Sequence, residues 1–290
     1  MDPKVTIGVC VKDSERTVKQ SIESIISQKY PTEFIQLIVV DGCSKDKTLS
    51  IINSATSKAR TIVETYSDKG EGLGTARQIV VNNAKGKYVI FVDGDVKLFS
   101  DFVRNHVKFM EENPNIGVAF GTPMFQEERT LIATVSDLRA YATGGSLGND
   151  ATIYRSEALR QVGGFDTKIK GAAEDVDLIV RFRLHGWQRS VNKTARFFHK
   201  RRENLRSFWI ESSWMGYGDH YVNHKGCSFG AVWHRFPAAE FVYGLKLASR
   251  AYERTQRKLS FLILPQMILA NISWWAGFTK GHIDGYGHVP

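Results

Sequence analysis

Asp93 and Asp95 flank Gly94 at the end of the apolar run Tyr88 to Val92, inside the stretch KYVIFVDGDV (Lys87 to Val96). An unbroken run of β-branched and aromatic residues predicts a strand buried on both faces. Carboxylates placed where such a strand runs out do not belong to the core. They mark the carboxyl edge of a sheet, where open α/β folds bind their ligands. Paired oxygen ligands at that edge suit a divalent cation, and Gly94 leaves backbone room for a ligand. A solvated Asp-Gly-Asp turn satisfies the same three residues, so the rest of the chain has to decide.

Other chemistry-bearing groups also follow predicted strands. Val5 to Val11 reads as a first strand, followed by Asp13; Phe34 to Val40 is a second, followed by Asp41. Thr61 to Tyr66 is a third, followed by GEGLGTAR (Gly70 to Arg77). Helices are expected between them. The first covers Thr17 to Gln28, with Val18, Ile22, Ile25 and Ile26 apolar and Asp13 and Ser14 offering cap oxygens. A second begins over Asp46 to Ile52, and a third covers Thr75 to Ala84. This alternation predicts an α/β chain with a parallel, doubly wound sheet and right-handed crossovers. All strand exits then share one edge, so Asp13, Asp41, the glycine loop and Asp93/Asp95 converge.

The glycine loop is not a dinucleotide fingerprint. Thr75 stands where the last glycine of GxGxxG would fall, no Gly-Lys-Ser/Thr follows, and the loop belongs to the third βα unit. Its glycines are expected to form a tight loop that turns Arg77 toward the sheet edge. The plain alternative is a surface helix cation.

Composition frames these readings. With 290 residues and 42% hydrophobic content, the chain is long enough for a large core. Cys10, Cys43 and Cys227 contain no close pair, which argues against a disulfide framework or zinc knuckle and suits a reducing compartment. The N-terminus lacks the pattern of a signal peptide. Charge is uneven. Residues 1–180 hold 22 Lys and Arg against 24 Asp and Glu, whereas residues 181–290 hold 17 against 6. The second part therefore calls for an anionic partner.

Farther along, Ile153-Tyr154 reads as a strand and Ser156 to Val162 as a short helix ending at Gly163-Gly164. Glu174-Asp175-Val176-Asp177 begins an amphipathic helix whose stripe of Val176, Ile179, Val180, Phe182 and Leu184 is expected to face the core. A dipole role in the first helical turn accounts for Asp177. It accounts less well for adjacent Glu174-Asp175 after Gly171-Ala172-Ala173.

Taken together, these segments resemble the family 2 glycosyltransferases of the GT-A fold. The resemblance rests on VVDGCSKDKT, on GLGTARQ leading into AKGKYVIFVDGDV, on VGGFD (Val162 to Asp166) and on EDVDLIVRFRLHGW, and covers roughly residues 4–200. Departures are Gly42-Cys43 after Asp41, where Asp and Gly are usual, Gln78 where Asn is common, and a first strand ending Val-Lys-Asp. The resemblance implies a GT-A catalytic domain over 1–202 and a helical, basic and apolar extension over 203–290. It implies a nucleotide-sugar donor, met at base and ribose by Asp13 and Asp41. It places Asp93 near ribose and metal, and Asp95 on Mg²⁺ or Mn²⁺ across the diphosphate, with His199 as a further metal ligand. In inverting members the Asp of the ED pair deprotonates the acceptor, which assigns Asp175 as base with Glu174 in reserve. A lipid-phosphate acceptor would need no base, and Lys200-Arg201-Arg202 would then clamp its phosphate.

Two other classes compete: a non-catalytic module of the same fold, which would be expected to lose Asp95 or Asp175, and a nucleic-acid binder. The aromatics that raise the latter (Phe208, Trp209, Trp214, Tyr217, Tyr221) fall on helical spacing with aliphatic neighbours, which favours packing, so no nucleic-acid partner is expected. Leu259 to Phe278 approaches bilayer-spanning length but contains Pro265, Gln266 and Asn271. With Arg250, Arg254, Arg257 and Lys258 ahead of it, and Trp274-Trp275 suited to a headgroup boundary, it reads as an interfacial helix on the cytoplasmic membrane surface. An attached enzyme would meet a lipid-linked acceptor there. Packing within the protein or in a homo-oligomer is the alternative.

Overall fold

The computed structural model describes residues 4–57, 59–126, 130–144, 148, 150–226 and 235–287. Among the described residues, eight strands form one sheet: β1 (Val5–Val11), β2 (Ile35–Asp41), β3 (Ile62–Ser67), β4 (Tyr88–Val92), β5 (Val96–Leu98), β6 (Ile116–Pro123), β7 (Ala151–Arg155) and β8 (Gln188–His199). Their order is β3-β2-β1-β4-β7-β6-β8-β5. The first four run parallel. β7 is antiparallel to β4 and β6, β8 is parallel to β6, and β5 is antiparallel to β8. The sheet is the mostly parallel, doubly wound one expected.

Residues alternate between its two faces, as a period of two requires. On one face Ile7, Leu37 and Ile90 pack against α1 (Val18–Ile26) and α4 (Phe102–Glu112). On the other, Ile38, Val89 and Phe91 meet α3 (Leu73–Asn83), α6 (Ser156–Gln161) and Leu178 and Phe182 of α7 (Glu174–Leu184). The expected stripe on α7 needs correction. Leu184 is 77% exposed, while Glu174, Asp177, Leu178 and Phe182 are the buried positions. Capping differs as well. The backbone carbonyl of Ser14, not a side chain, receives Thr17 N and Val18 N at 3.0 Å. Asp46 does not open α2 (Thr48–Thr56); its Oδ1 accepts from Thr48 N at 2.9 Å just ahead of that helix.

On α4, His106 is fully buried against Phe102, and neither ring nitrogen has a hydrogen-bond partner. Burial alone pushes its pKa down to about 3. Unfolded, the imidazole titrates near 6.5, so below that pH the unfolded chain binds a proton that the folded chain refuses. Stability is therefore full above about pH 6.5 and falls by roughly 1.4 kcal/mol per pH unit toward pH 3. Urea melts at pH 7 and pH 5 should show His106→Leu losing about 2 kcal/mol less than the parent chain. Equal losses would place the acid sensitivity elsewhere.

By contacts the chain falls into two compact units. The sheet unit takes residues 1–124, 145–170 and 178–199; the second takes 125–144, 171–177 and 200–290. The second unit holds α5 (Leu131–Thr143), α8 (Leu205–His224), α9 (Pro237–Thr255) and α10 (Ile263–Ile283). Val135 and Leu138 of α5, Leu247 and Ala251 of α9, and Ile263 and Met267 of α10 form its core. α10 lies close along α8 because glycines meet backbone. A Cβ on Gly216 would collide with Trp274, and one on Gly277 with Ser213.

The segment Lys258–Ile283 is long and apolar enough to cross a bilayer, yet the amide donors of Gln266 and Asn271 are bonded within the unit. Gln266 Nε2 donates to Ile132 O at 2.8 Å, and Asn271 Nδ2 to Arg235 O at 2.9 Å. Trp274 is buried, with Nε1 donating to Asp219 Oδ2 at 2.8 Å, so it is no headgroup anchor. Cys10 and Cys43 are free thiols, and Cys227 lies outside the described residues.

Candidate active site

Backbone strain collects at the exits of the first three strands. Asp13 after β1, Cys43 after β2 and Lys69 after β3 have φ of 47°, 59° and 55°, a left-handed conformation that non-glycine residues rarely adopt. Such outliers persist where surrounding contacts over-determine them, often at binding sites. Here Asp13 Oδ1 accepts from Lys45 N at 2.8 Å, and Asp13 N donates to Ser44 Oγ at 2.9 Å. Asp41 is buried. Its Oδ2 accepts from Ser44 N at 3.1 Å, but its Oδ1 has no hydrogen-bond partner.

At the exit of β4, Asp95 Oδ1 lies 3.2 Å from His199 Nε2, and Asp150 Oδ2 lies 3.1 Å from His199 Nδ1. Antiparallel pairing produces this triad. Val96 of β5 faces His199 of β8, and Val92 of β4 faces Ala151 of β7, so Asp150 sits beside Asp93. Asp93 N donates to Asp150 O at 3.0 Å. Arg77 points toward the sheet edge, where its Nη2 reaches Asp93 Oδ1 at 3.2 Å with the guanidinium over the Phe91 ring. Desolvation lifts the Asp93 carboxyl to about 7; Arg77 opposes this, Asp150 and Asp95 add to it, and His199 opposes it.

The donor set fits a divalent ion. Adjacent ligands on bonds of about 2.1 Å in an octahedral shell lie roughly 3 Å apart, close to the Asp95–His199 separation. Asp150 then takes the place of the carboxylate that orients a metal-bound imidazole. Sequence reading missed Asp150. Its signal was only a carboxylate just before a short apolar strand.

Asp68 was missed too, and it builds the glycine loop. Its carboxylate accepts from Gly70 N at 2.8 Å and Gly72 N at 3.2 Å. Gly72 and Gly74 are glycines because Cβ atoms there would strike the backbone of Lys170 and Asp166. Gly94 departs from its expected role: the space a Cβ would need is filled by Val11 Cγ1, 2.7 Å away, rather than reserved for a ligand. Gln78, unusual beside the resembling family, accepts from Phe165 N at 2.6 Å and so ties α3 to the turn after α6.

In the second unit, Glu174 is buried and Asp175 half-buried at the start of α7, directly after Ala173 with φ of 75°. That turn is wedged against α8, since a Cβ on Gly218 would strike the Ala172 backbone. Asp219, also on α8, has its pKa raised by burial; the Trp274 hydrogen bond and Arg235 oppose this, and the charge of Asp175 adds to it. Asp177 is more than a dipole partner. It is fully buried and paired with Lys225 Nζ at 2.8 Å. Each member of the basic triplet faces a carboxylate: Lys200 meets Glu203 at 3.4 Å, Arg201 meets Asp137 at 3.2 Å, and Arg202 meets Glu211 at 2.9 Å.

The family model for glycosyl transferase family 2 matches residues 6–163. The chain belongs to that family. Among family 2 relatives, the poly(ribitol-phosphate) β-N-acetylglucosaminyltransferase TarS of Staphylococcus aureus is 28% identical over 54% of this chain. The match covers only 30% of TarS's own length. EpsE of Bacillus subtilis is 25% identical over 86% of this chain and 90% of its own. Among solved structures, the mannosyltransferase PcManGT from Pyrobaculum calidifontis, in complex with GDP-Man and Mn²⁺, superposes with a TM-score of 0.70. That match is 16% identical and covers 98% of this chain and 88% of PcManGT. The fold is therefore the GT-A fold, and family 2 chains are transferases.

Proposed function

We propose that the chain transfers a sugar from a nucleotide-diphosphate sugar to an acceptor hydroxyl, with inversion, using Mg²⁺ or Mn²⁺. The observation that carries this reading is the Asp95–His199–Asp150 triad beside Asp93 at the exit of β4. Asp95 and His199 would hold the ion, with Asp93 beside it toward the ribose. When bound, the cation neutralises charge on the departing nucleoside diphosphate. Asp13 and Asp41 face the base and ribose; the unpartnered Asp41 Oδ1 is a buried acceptor that suits an N–H or O–H of the nucleoside. Arg77 holds the Asp93 carboxylate in place. Asp175 takes the proton of the acceptor hydroxyl as its oxygen bonds to the anomeric carbon and the carbon–phosphate-oxygen bond breaks, while Glu174 positions the acceptor. Solved relatives support the donor class: TarS 1-349 is known with UDP and with UDP-GlcNAc, and PcManGT with GDP-Man.

Hydrolysis of UDP-, GDP- and dTDP-sugars, screened with Mn²⁺ and with Mg²⁺, tests the reading. Turnover of none, with either ion, would sink it. In the same assay Asp150→Asn should weaken metal activation by about 10- to 100-fold and recover at high metal, since it frees the imidazole without removing a ligand. Failure to recover would make Asp150 a direct participant.

For the acceptor, the paired state of Lys200, Arg201 and Arg202 favours a hydroxyl over a bare phosphate oxygen. A lipid-linked acceptor at the cytoplasmic membrane surface fits the excess of cations and an exposed apolar set on the second unit: Phe241, Val242, Leu245, Phe261, Ile268 and Ile272. Flotation with anionic liposomes at low salt should carry the chain upward, and Phe241→Ser/Val242→Ser should reduce it. A chain that stays in the soluble fraction is not a membrane-surface protein.

A further inference from the structure

His220 and His224 lie one turn apart on α8, and His282 lies in the last turn of α10. One nitrogen from each ring falls within a cluster no wider than 4.8 Å. His224 Nε2 is 3.1 Å from His220 Nε2, and His282 Nδ1 is 3.4 Å from the same atom. Three nitrogens on one tetrahedral zinc ion, with bonds of about 2.05 Å, lie roughly 3.3 Å apart. The match is close.

The orientation of His220 adds an independent argument. Its Nδ1 faces the backbone carbonyl of Tyr286, which accepts only, so Nδ1 carries the proton. The lone pair of Nε2 therefore points at the other two imidazoles. A carbonyl partner on the far nitrogen is the usual support for a metal-binding histidine, setting both tautomer and ring plane. Tyr286 is itself fixed by stacking on Tyr217, with ring centroids 4.7 Å apart. Close approach of the two helices is built in as well. Gly281 lies so near that a Cβ would sit 3.1 Å from His220 Cβ, and Phe278 closes one side of the His220 ring. His220 is buried while His224 and His282 are exposed, so the cluster is open to solvent on one side and an ion held there would have room for a water as fourth ligand.

We propose that His220, His224 and His282 form a divalent-metal site of the imidazole-preferring class, with Zn²⁺ as the best match. Imidazole suits Zn²⁺, Ni²⁺ and Cu²⁺, whereas Mg²⁺ demands oxygen ligands. The ion joins the end of α8 to the end of α10 and so staples the C-terminal unit. Its binding free energy becomes folding free energy.

The test uses the full-length, untagged chain, stripped with chelator and held in millimolar Mg²⁺. Titration with Zn²⁺ against a chromophoric chelator should give one equivalent per chain. The exposed pair His224→Ala/His282→Ala should weaken that binding at least about 100-fold, while far-UV circular dichroism stays unchanged. Zn²⁺ at a hundredfold excess over its Kd should raise the parent Tm by roughly 4 °C and leave the double variant unmoved. Co²⁺ should give the visible bands of a tetrahedral site in the parent alone. Parent binding no tighter than that of the double variant overturns the proposal. So does zinc binding that survives in the double variant but vanishes in Asp95→Asn, which would place the ion at the strand-exit carboxylates.

Discussion

Asp95→Asn should lower nucleotide-sugar turnover by at least about a thousandfold, some 4 kcal/mol of transition-state stabilisation, while leaving the fold intact. Asparagine keeps the size of the side chain but removes the charge that faces His199 Nε2 at 3.2 Å. Loss of the charge is not expected to unfold the sheet. Asp95 already raises the pKa of Asp93, so part of what the variant loses in attraction to His199 is returned as relief of repulsion. A Tm within a few degrees of the parent should accompany the collapse in kcat at saturating Mn²⁺. Turnover within tenfold of the parent under those conditions would remove Asp95 from the metal site.

Asp175→Asn should cut transfer to a hydroxyl acceptor by about a hundred- to ten-thousandfold, the usual contribution of a general base. Donor affinity should stay near the parent value, because the proposed base meets the acceptor and not the nucleotide. Two measurements separate the outcomes. A kcat loss with unchanged donor Kd, and with the acid limb of the pH–rate profile gone, supports a base. An equal fall in donor affinity makes Asp175 a binding group. A third result is informative: full activity with a phosphate acceptor would show that the oxygen attacks already ionised, moving attention to Lys200, Arg201 and Arg202. Asp177 is unsuited to the same test. It is buried and paired with Lys225, so its removal strands a charge and damages the unit.

Much of the sheet unit was legible in the residues alone. Strands β1, β2 and β4 announce themselves as continuous apolar runs because a parallel strand is buried on both faces. Once those runs alternate with helices, topology forces their exits to one edge, and Asp13, Asp41, Asp93 and Asp95 follow. Arg77 was legible through the glycine loop that turns it toward that edge, whereas His199 was pointed to by the family resemblance and not by strand topology. Other features depended on who lies beside whom. Asp150 orients His199 only because β7 enters antiparallel next to β4. Asp177 and Leu184 exchanged their expected environments, since a helix periodicity defines a face but not which side neighbours cover. Gln266 and Asn271 of the apolar C-terminal helix read as obstacles to a membrane span, and packing gave their amide N–H groups acceptors inside the unit. His220 and His224 are visible as an i, i+4 pair, yet His282 joins them only through the glycine contacts of α8 with α10. Spacing within one element is local and is written in the order of residues. The meeting of side chains from different elements depends on how every intervening residue packs, and that is settled only when the core closes.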